Sequence, residues 1–425
     1  MKPYSQLTKQ ELAAKREALV AQYEDFKRRG LKLNMTRGVP SLEQLALSSG
    51  ILTCLGKDDY TAENGIDCRN YGVLDGIPEM KRIFADILEL DPSEVIVGGN
   101  SSLSLMFDNI SSNMSHGVRD GTPWSLQGKV KFLCPAPGYD RHFTTCDYFH
   151  IEMIPIEMTP DGPDMDTVER LVAADAMIKG MWCVPVFSNP TGAVYSDETV
   201  RRIAALKPAA PDFRLYWDNA YAIHQFSGGK RLIPNIVREC EKAGNEHMPL
   251  VFTSFSKVTF SGAAVSCMAS SRSNCEFIKK RLSAQTIGPD KLRQLAHVRF
   301  LGDAQGVYAH MRKHAEILAP KFQLVGETLS ARLGGLGVAE WSTPQGGYFV
   351  SFNSLPGCAR RIAALCNEAG VALTPAGATY PHGKDPNDSN LRIAPTAPPI
   401  DELRTAMDVF CTAVLLASAE KLLGE

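Results

Sequence analysis

Pro249-Leu-Val-Phe-Thr-Ser-Phe-Ser-Lys257 is the stretch on which the fold turns. Residues 249–253 form a short apolar, β-rich run, and the chain leaves it through two serines onto a lysine. Such runs read as strands buried on both faces. Lysine is rarely placed against a buried strand without a task. Desolvation or a nearby cation lowers its pKa and makes the amine a Schiff-base nucleophile. The plain alternative is a surface lysine at a strand–helix turn, and the neighbouring segments decide between the two.

Working outward, other apolar runs also end on polar side chains. Leu215-Tyr-Trp-Asp-Asn-Ala-Tyr221 puts Asp218 at the end of a run that should be buried, where a carboxylate needs a partner. Phe187-Ser-Asn-Pro-Thr-Gly192 puts Asn189 in a turn after another. Strands are predicted at 95–97, 130–134, 182–187, 215–217, 250–255 and 263–269, with helices such as 196–207 and 233–243 between them. Strands that alternate with helices imply an α/β fold with a mostly parallel sheet covered on both faces. Ligands of such sheets bind beyond the carboxyl ends of the strands, where these residues fall.

Near residue 290 the pattern changes. A long helical stretch at 291–333 precedes short strands at 348–352 and 391–393 and helices at 358–369 and 401–423. At the other end, Thr8-x-x-Glu11 is a capping-box pattern that starts a helix running to Arg29, with Gly30 to end it. The expected division is a large domain, 61–290, and a smaller α+β domain built from 1–60, including the N-terminal helix, and 291–425. The Pro381–Ser389 segment is expected to be a mobile loop. His310 and His314 have i,i+4 metal-ligand spacing with Glu316 nearby, but no third ligand is evident and Arg312 and Lys313 lie beside them, so a solvated helix face is expected and no metal site.

A lysine, an acid, an asparagine and a set of serines at successive strand ends point to pyridoxal 5'-phosphate held as a Schiff base on Lys257. Asp218 suits a protonated pyridine nitrogen, which it keeps electron-withdrawing. Asn189 and Tyr221 can both donate to the ring oxygen. Gly98-Gly99-Asn100-Ser101-Ser102 lies between a strand and the helical stretch 103–110, an arrangement that binds anions; Ser254 and Ser256 could complete the phosphate cup. Arg392, in Asn390-Leu-Arg-Ile-Ala-Pro395, could clamp a substrate carboxylate, with a structural ion pair as the other reading. Arg37 is a second candidate anion contact.

Taken together, Tyr71-Gly-Val-Leu-Asp-Gly-Ile-Pro78, Asn100-Ser-Ser102, Pro137-Gly-Tyr-Asp-Arg141, Ser188-Asn-Pro-Thr-Gly192, Asp218-Asn-Ala-Tyr221, Ser254-Phe-Ser-Lys257 and Asn390-Leu-Arg392 resemble the fold-type-I pyridoxal-phosphate aminotransferases of class I/II. The resemblance runs from about residue 30 to the C-terminus. It is nearest the branch related to MocR-type effector domains, which includes aspartate aminotransferases. The resemblance implies that Lys257 carries the cofactor and later shuttles a proton. It also implies that Ser101, Ser102, Ser254 and Ser256 hold the phosphate, and that Tyr71 reaches the phosphate of a neighbouring subunit in a homodimer. Arg392 would bind the α-carboxylate, with Gly38 lining the pocket. The implied reaction is ping-pong transfer of an amino group between an amino acid, foremost aspartate, and a 2-oxo acid, foremost 2-oxoglutarate. A distal carboxylate would need a further cation, for which Arg37 and Arg141 are candidates. A β-lyase or synthase on the same scaffold, or a non-catalytic sensor, stays open as an alternative.

Two positions depart from the family pattern. Many relatives carry a phosphate-binding arginine eight residues after the lysine; here that position is Val265. The place of the ring-stacking aromatic falls on Ala136, which leaves Tyr139 or Phe143 to stack. The roughly 30 residues before the matched region are too few for a winged-helix domain, so a regulator is not expected.

Composition narrows the field further. Lys and Arg total 45 against 47 Asp and Glu, a net charge of −2, which argues against a binder of nucleic acid that works by phosphate neutralisation. The 11 cysteines are dispersed without a C-x-x-C pair, as in reduced, cytoplasmic proteins. The N-terminus lacks the apolar core of a signal peptide, and no run is long enough to span a membrane.

Overall fold

A computed structural model describes residues 2–119, 121–227 and 233–424. Its strands in chain order are β1 (Leu33–Met35), β2 (Val95–Val97), β3 (Lys131–Ala136), β4 (Glu152–Thr159), β5 (Gly162–Pro163), β6 (Ile178–Cys183), β7 (Arg214–Asp218), β8 (Pro249–Ser254), β9 (Ser266–Ala269), β10 (Ala339–Trp341), β11 (Val350–Ser354), β12 (Val371–Leu373) and β13 (Asn390–Ile393). Eight of them form one sheet in the order β2-β9-β8-β7-β6-β3-β4-β5. From β4 to β8 every neighbouring pair is parallel, while β2 with β9, β9 with β8 and β4 with β5 are antiparallel.

The central strands bury both faces, and their side chains alternate between two cores. Leu133, Met181, Leu215, Trp217 and Val251 pack on one side, and Phe132, Trp182, Tyr216, Leu250 and Phe252 on the other. Each such side chain contributes about 1.5–3 kcal/mol on burial. This two-sided burial is why the runs read as continuous apolar stretches rather than alternating ones. Strand β4 was not predicted: its mixed burial follows from Glu152, Glu157 and other polar residues near the sheet edge.

A second core lies around the three-stranded antiparallel sheet β10-β11-β13. Helix Ile400–Leu423 is buried along most of its length and packs with helix Lys9–Arg28. The N-terminal capping box forms as its spacing predicts: Glu11 N–H donates to Thr8 Oγ1 at 3.2 Å, and Thr8 N–H donates to Glu11 Oε2 at 2.7 Å. Tyr23 anchors this helix by donating to the Leu365 carbonyl at 3.0 Å.

Three expectations change. The stretch 291–333 is two helices, Lys291–Leu301 and Ala304–Leu333, because Gly302 takes φ 78° and Asp303 caps the second by accepting from Gly306 N–H at 2.9 Å. The segment 381–389 is pinned rather than loose: the buried Asp385 carboxylate accepts from the N–H groups of Asn387, Ser389 and Asn390 at 2.9, 2.7 and 2.7 Å. His310 and His314 do not lie on a solvated face but are buried, because helix Ala304–Leu333 turns them under the Lys257 turn. Among the described residues no helix is long and apolar enough to cross a membrane.

Candidate active site

The parallel strands reverse their order between β3 and β6, the kind of crevice in which α/β sheets bind ligands. Three segments leave the sheet there. After β3 come Tyr139 and a helix, Asp140–Tyr148; after β6 comes Asn189; β7 ends on Asp218 itself. Lys257 follows β8 by three residues. These side chains share a cavity of about 580 Å³ with Tyr221, Arg37, Gly38, Arg141 and Arg392. Ser101, Ser102, Ser254 and Ser256 are not in its lining. They lie at the end of β8 and just after it, and at the start of helix Ser102–His116, two segments joined by the Ser256 hydroxyl, which donates to the Asn100 carbonyl at 3.0 Å. Tyr71 is apart from all of these, 81% exposed.

Asp218 is 4% exposed, and its two carboxylate oxygens differ. Oδ2 takes a 3.0 Å hydrogen bond from His142 Nε2, whereas Oδ1 is buried without a partner. A buried, unpaired carboxylate oxygen beside a cavity is costly unless a donor arrives with a ligand. His142, on the helix after β3, is the residue that sequence reasoning missed. Its ring stacks on Trp182 at 4.1 Å and 4°, so its place is set by packing across β3 and β6. No local spacing signals that, although the edge contact with Tyr139 at 5.0 Å shows why the pair sits one helical turn apart.

The Lys257 ammonium lies 4.9 Å from the Tyr221 ring centre and 5.9 Å from that of Tyr348. Burial pushes its pKa down, with the Asp218 charge pulling the other way. A neutral amine is therefore more accessible than on an exposed lysine. Burial, then the nearby Tyr139 and Asp218, push the Tyr221 phenol well up, so it stays a donor. Burial, Asp218 and Asp140 raise Tyr139 to about 12. Of the two stacking candidates, Tyr139 lines the cavity, and Phe143 is buried in the core beneath it.

Arg392 projects from β13 into the same space. Its Nη1 donates to Asp140 Oδ1 at 3.0 Å and Asn189 Oδ1 at 3.1 Å, and Nη2 donates to Thr374 Oγ1 at 3.3 Å. Its Nε is buried and unpaired, a donor free for an acid. With its oxygen on Arg392, Asn189 keeps its NH2 as its donor. Phe349 lies under the guanidinium at 4.8 Å. Gly38 makes room for that ring: a Cβ there would come within 2.5 Å of it. Arg37 and Arg141 line the cavity as well, and both side chains are exposed. Val265 is 1% exposed in the core beside β8, and its carbonyl accepts from Phe255 N–H at 2.8 Å.

The aspartate amino-transferase family profile matches residues 7–425, which extends the resemblance through the N-terminal helix. An aspartate aminotransferase of Corynebacterium glutamicum is 48% identical over 405 residues, 95% of this chain and 94% of its own. The crystal structure of an aspartate transaminase from the same species superposes with a TM-score of 0.95 at 47% identity, covering 98% of this chain and 99% of that one. An α-aminoadipate aminotransferase from Thermus thermophilus, complexed with N-(5'-phosphopyridoxyl)-L-leucine, shares the fold at a TM-score of 0.75 and 18% identity, covering 93% of this chain and 95% of that one. The chain therefore belongs to the aspartate aminotransferase family, is an aminotransferase acting on an amino acid and a keto acid, and by that membership is expected to use pyridoxal phosphate.

Proposed function

We propose that the cavity holds pyridoxal 5'-phosphate on Lys257 and transfers the amino group of aspartate to 2-oxoglutarate. The unpaired Asp218 Oδ1, beside a lysine whose pKa is lowered, carries this reading. When bound, the cofactor supplies an electron sink for the charge left by loss of the α-proton. Asp218 would hold the pyridine nitrogen, fixed in turn by His142. Asn189 and Tyr221 would donate to the ring oxygen, and Tyr139 offers an aromatic face. Ser101, Ser102, Ser254 and Ser256 would hold the phosphate at the start of helix Ser102–His116.

The chain's own groups then divide the work. Lys257, once free, removes the α-proton and returns it elsewhere, a role suited to an amine with a depressed pKa. Arg392 binds the α-carboxylate through the face that carries its unpaired Nε, and Gly38 keeps the Phe349 ring beneath it. Arg37 or Arg141 meets the distal carboxylate. We also propose a homodimer that completes the site through Tyr71. That residue is exposed, and so is Ile287, next to the contact between Gly288 and Gly72. The proposed domains are 61–290 and 1–60 with 291–425, the later boundary falling at the start of helix Lys291–Leu301, and helix Ala304–Leu333 touches both cores. Val307 and Met311 of that helix pack under the large sheet, and Phe322, Val325 and Leu329 on the small one. The cytoplasmic setting rests on 11 free thiols, ten of them buried.

The test is an absorbance spectrum of cofactor-loaded protein before and after adding aspartate without an oxo acid. Conversion of the visible band, reversed by 2-oxoglutarate, supports the reading. A band that aspartate leaves unchanged removes the proposed substrate pair, and no band removes the role of Lys257.

A further inference from the structure

Behind Lys257, on the side away from the cavity, lies a layer of polar side chains that the reaction does not use. Gln44, Ser48, His310, His314 and Tyr348 are all buried, at 0, 0, 6, 0 and 1% exposure. The Tyr348 hydroxyl donates to the Lys257 carbonyl at 3.3 Å. Gln44 Nε2 donates to the Tyr348 oxygen at 3.0 Å and lies 2.9 Å from His314 Nδ1. His314 Nε2 is 3.2 Å from His310 Nε2, which lies 3.0 Å from the Val258 carbonyl and 3.1 Å from Ser48 Oγ.

The protons can be placed. Gln44 Oε1 accepts from Ser41 N–H at 3.0 Å in the cap of helix Leu42–Leu47, so the amide NH2 must face Tyr348 and His314. An NH2 only donates, hence His314 Nδ1 accepts and the neutral ring carries its hydrogen on Nε2. That hydrogen points to His310 Nε2. The Ser48 hydroxyl, 3.4 Å from the Val258 carbonyl, closes the ring. His310 Nε2 therefore only accepts, its approach to the Val258 carbonyl carries no hydrogen, and the Ser48 hydroxyl supplies the hydrogen to that carbonyl, with both imidazoles neutral. Burial keeps them so, lowering His314 to about 4 and His310 in the same direction. The other titratable groups facing the layer are Lys257, His224 and Lys313.

We propose that Gln44, His314 and His310 are positioning residues for Lys257. They hold Tyr348, which donates to the Lys257 carbonyl, and pack against Ser48, which donates to the Val258 carbonyl, and so couple both carbonyls to helix Leu42–Leu47. That helix continues the cavity wall carrying Arg37 and Gly38, so contact with substrate at the wall and placement of the amine share one hydrogen-bonded frame. An amine that swings between two tasks needs its backbone held, since a misplacement of about 1 Å can cost roughly 100-fold in rate. The proposal rests on the reading of Lys257 as the cofactor lysine.

The experiment uses cofactor-loaded Tyr348→Phe, His314→Leu and His314→Gln. It measures kcat, KM for aspartate, Tm and the pH midpoint of the cofactor's visible band. Tyr348→Phe and His314→Leu should lower kcat roughly 10-fold with KM unchanged and shift the band midpoint. His314→Gln, which keeps a donor toward His310, should recover most of both. If the Leu variant does not fold, Tyr348→Phe and His314→Gln still decide. The proposal fails if kcat and midpoint match the parent, or if kcat follows Tm while the midpoint stays fixed. It also fails if His314→Gln recovers nothing. A parent band that survives Lys257→Ala would instead remove the underlying site reading.

Discussion

The floor of the cavity and its mouth are built by opposite rules. At the floor, Asp218, Asn189, Tyr221 and Arg392 are buried at strand ends and held by neighbours that are themselves packed. At the mouth, Arg37 and Arg141 are exposed. A buried, braced group cannot adapt to its ligand, so it must fit the step common to all substrates. An exposed, flexible arginine adapts easily and can distinguish substrates at low cost to the fold. On the proposed function, placement of the reacting atoms would belong to the floor, and selectivity to the mouth.

The largest effect should come from removing the floor's nucleophile. Lys257→Ala is expected to lower kcat by about 10⁴-fold or more, as loss of a covalent catalyst does. Borohydride treatment of the loaded variant, followed by mass measurement, should find no added cofactor. A trapped adduct with normal turnover would falsify the assignment. Asp218→Asn comes next. It keeps shape and a partner for His142 but removes the charge, and kcat should fall about 100-fold. Unchanged kcat would mean that the unpaired oxygen has no catalytic meaning.

Below the floor, the buried histidines predict an acid limit. His297 and His314 both sit at about 4 because burial disfavours the charged ring. The unfolded chain, with histidines near 6.5, binds more protons between those values, so stability falls as pH drops through that window. Each group contributes up to about 3 kcal/mol to that fall. Chemical denaturation of the wild type from pH 7 to 4 should show the decline, and His314→Gln should flatten part of it. Equal slopes for the two proteins would mean that His314 is not buried neutral.

The floor was legible in the sequence and its bracing was not, for a physical reason. Lys257, Asp218 and Asn189 each follow a strand, and strand periodicity is a local signal. His142 reaches Asp218 from another segment, and Gln44 meets His314 across 270 residues of chain; such pairs exist only after packing. The same limit explains the misread of His310 and His314. Charged Arg312 and Lys313 beside them suggest water, yet helical periodicity puts alternate faces in different surroundings. Val265 works the other way: the missing arginine was visible at once, and the structure adds that a buried core position now stands there.

The finest test sets one arginine of the floor against two of the mouth. Arg392 is braced by Asp140, Asn189 and Thr374 and should bind the carboxylate that every amino acid carries. Losing a charged hydrogen bond of about 1.5–3 kcal/mol, Arg392→Gln should lower kcat/KM roughly 10- to 100-fold for dicarboxylic and monocarboxylic donors alike. Arg37→Gln and Arg141→Gln have less to lose, because exposed arginines bind through solvent-screened charge. One of them should raise KM for aspartate roughly 5-fold and leave that for alanine unchanged. The other should leave both KM values unchanged, which would identify the distal clamp. Equal losses for aspartate and alanine in both variants would place the mouth's arginines outside substrate recognition, and the division of labour between floor and mouth would fall with them.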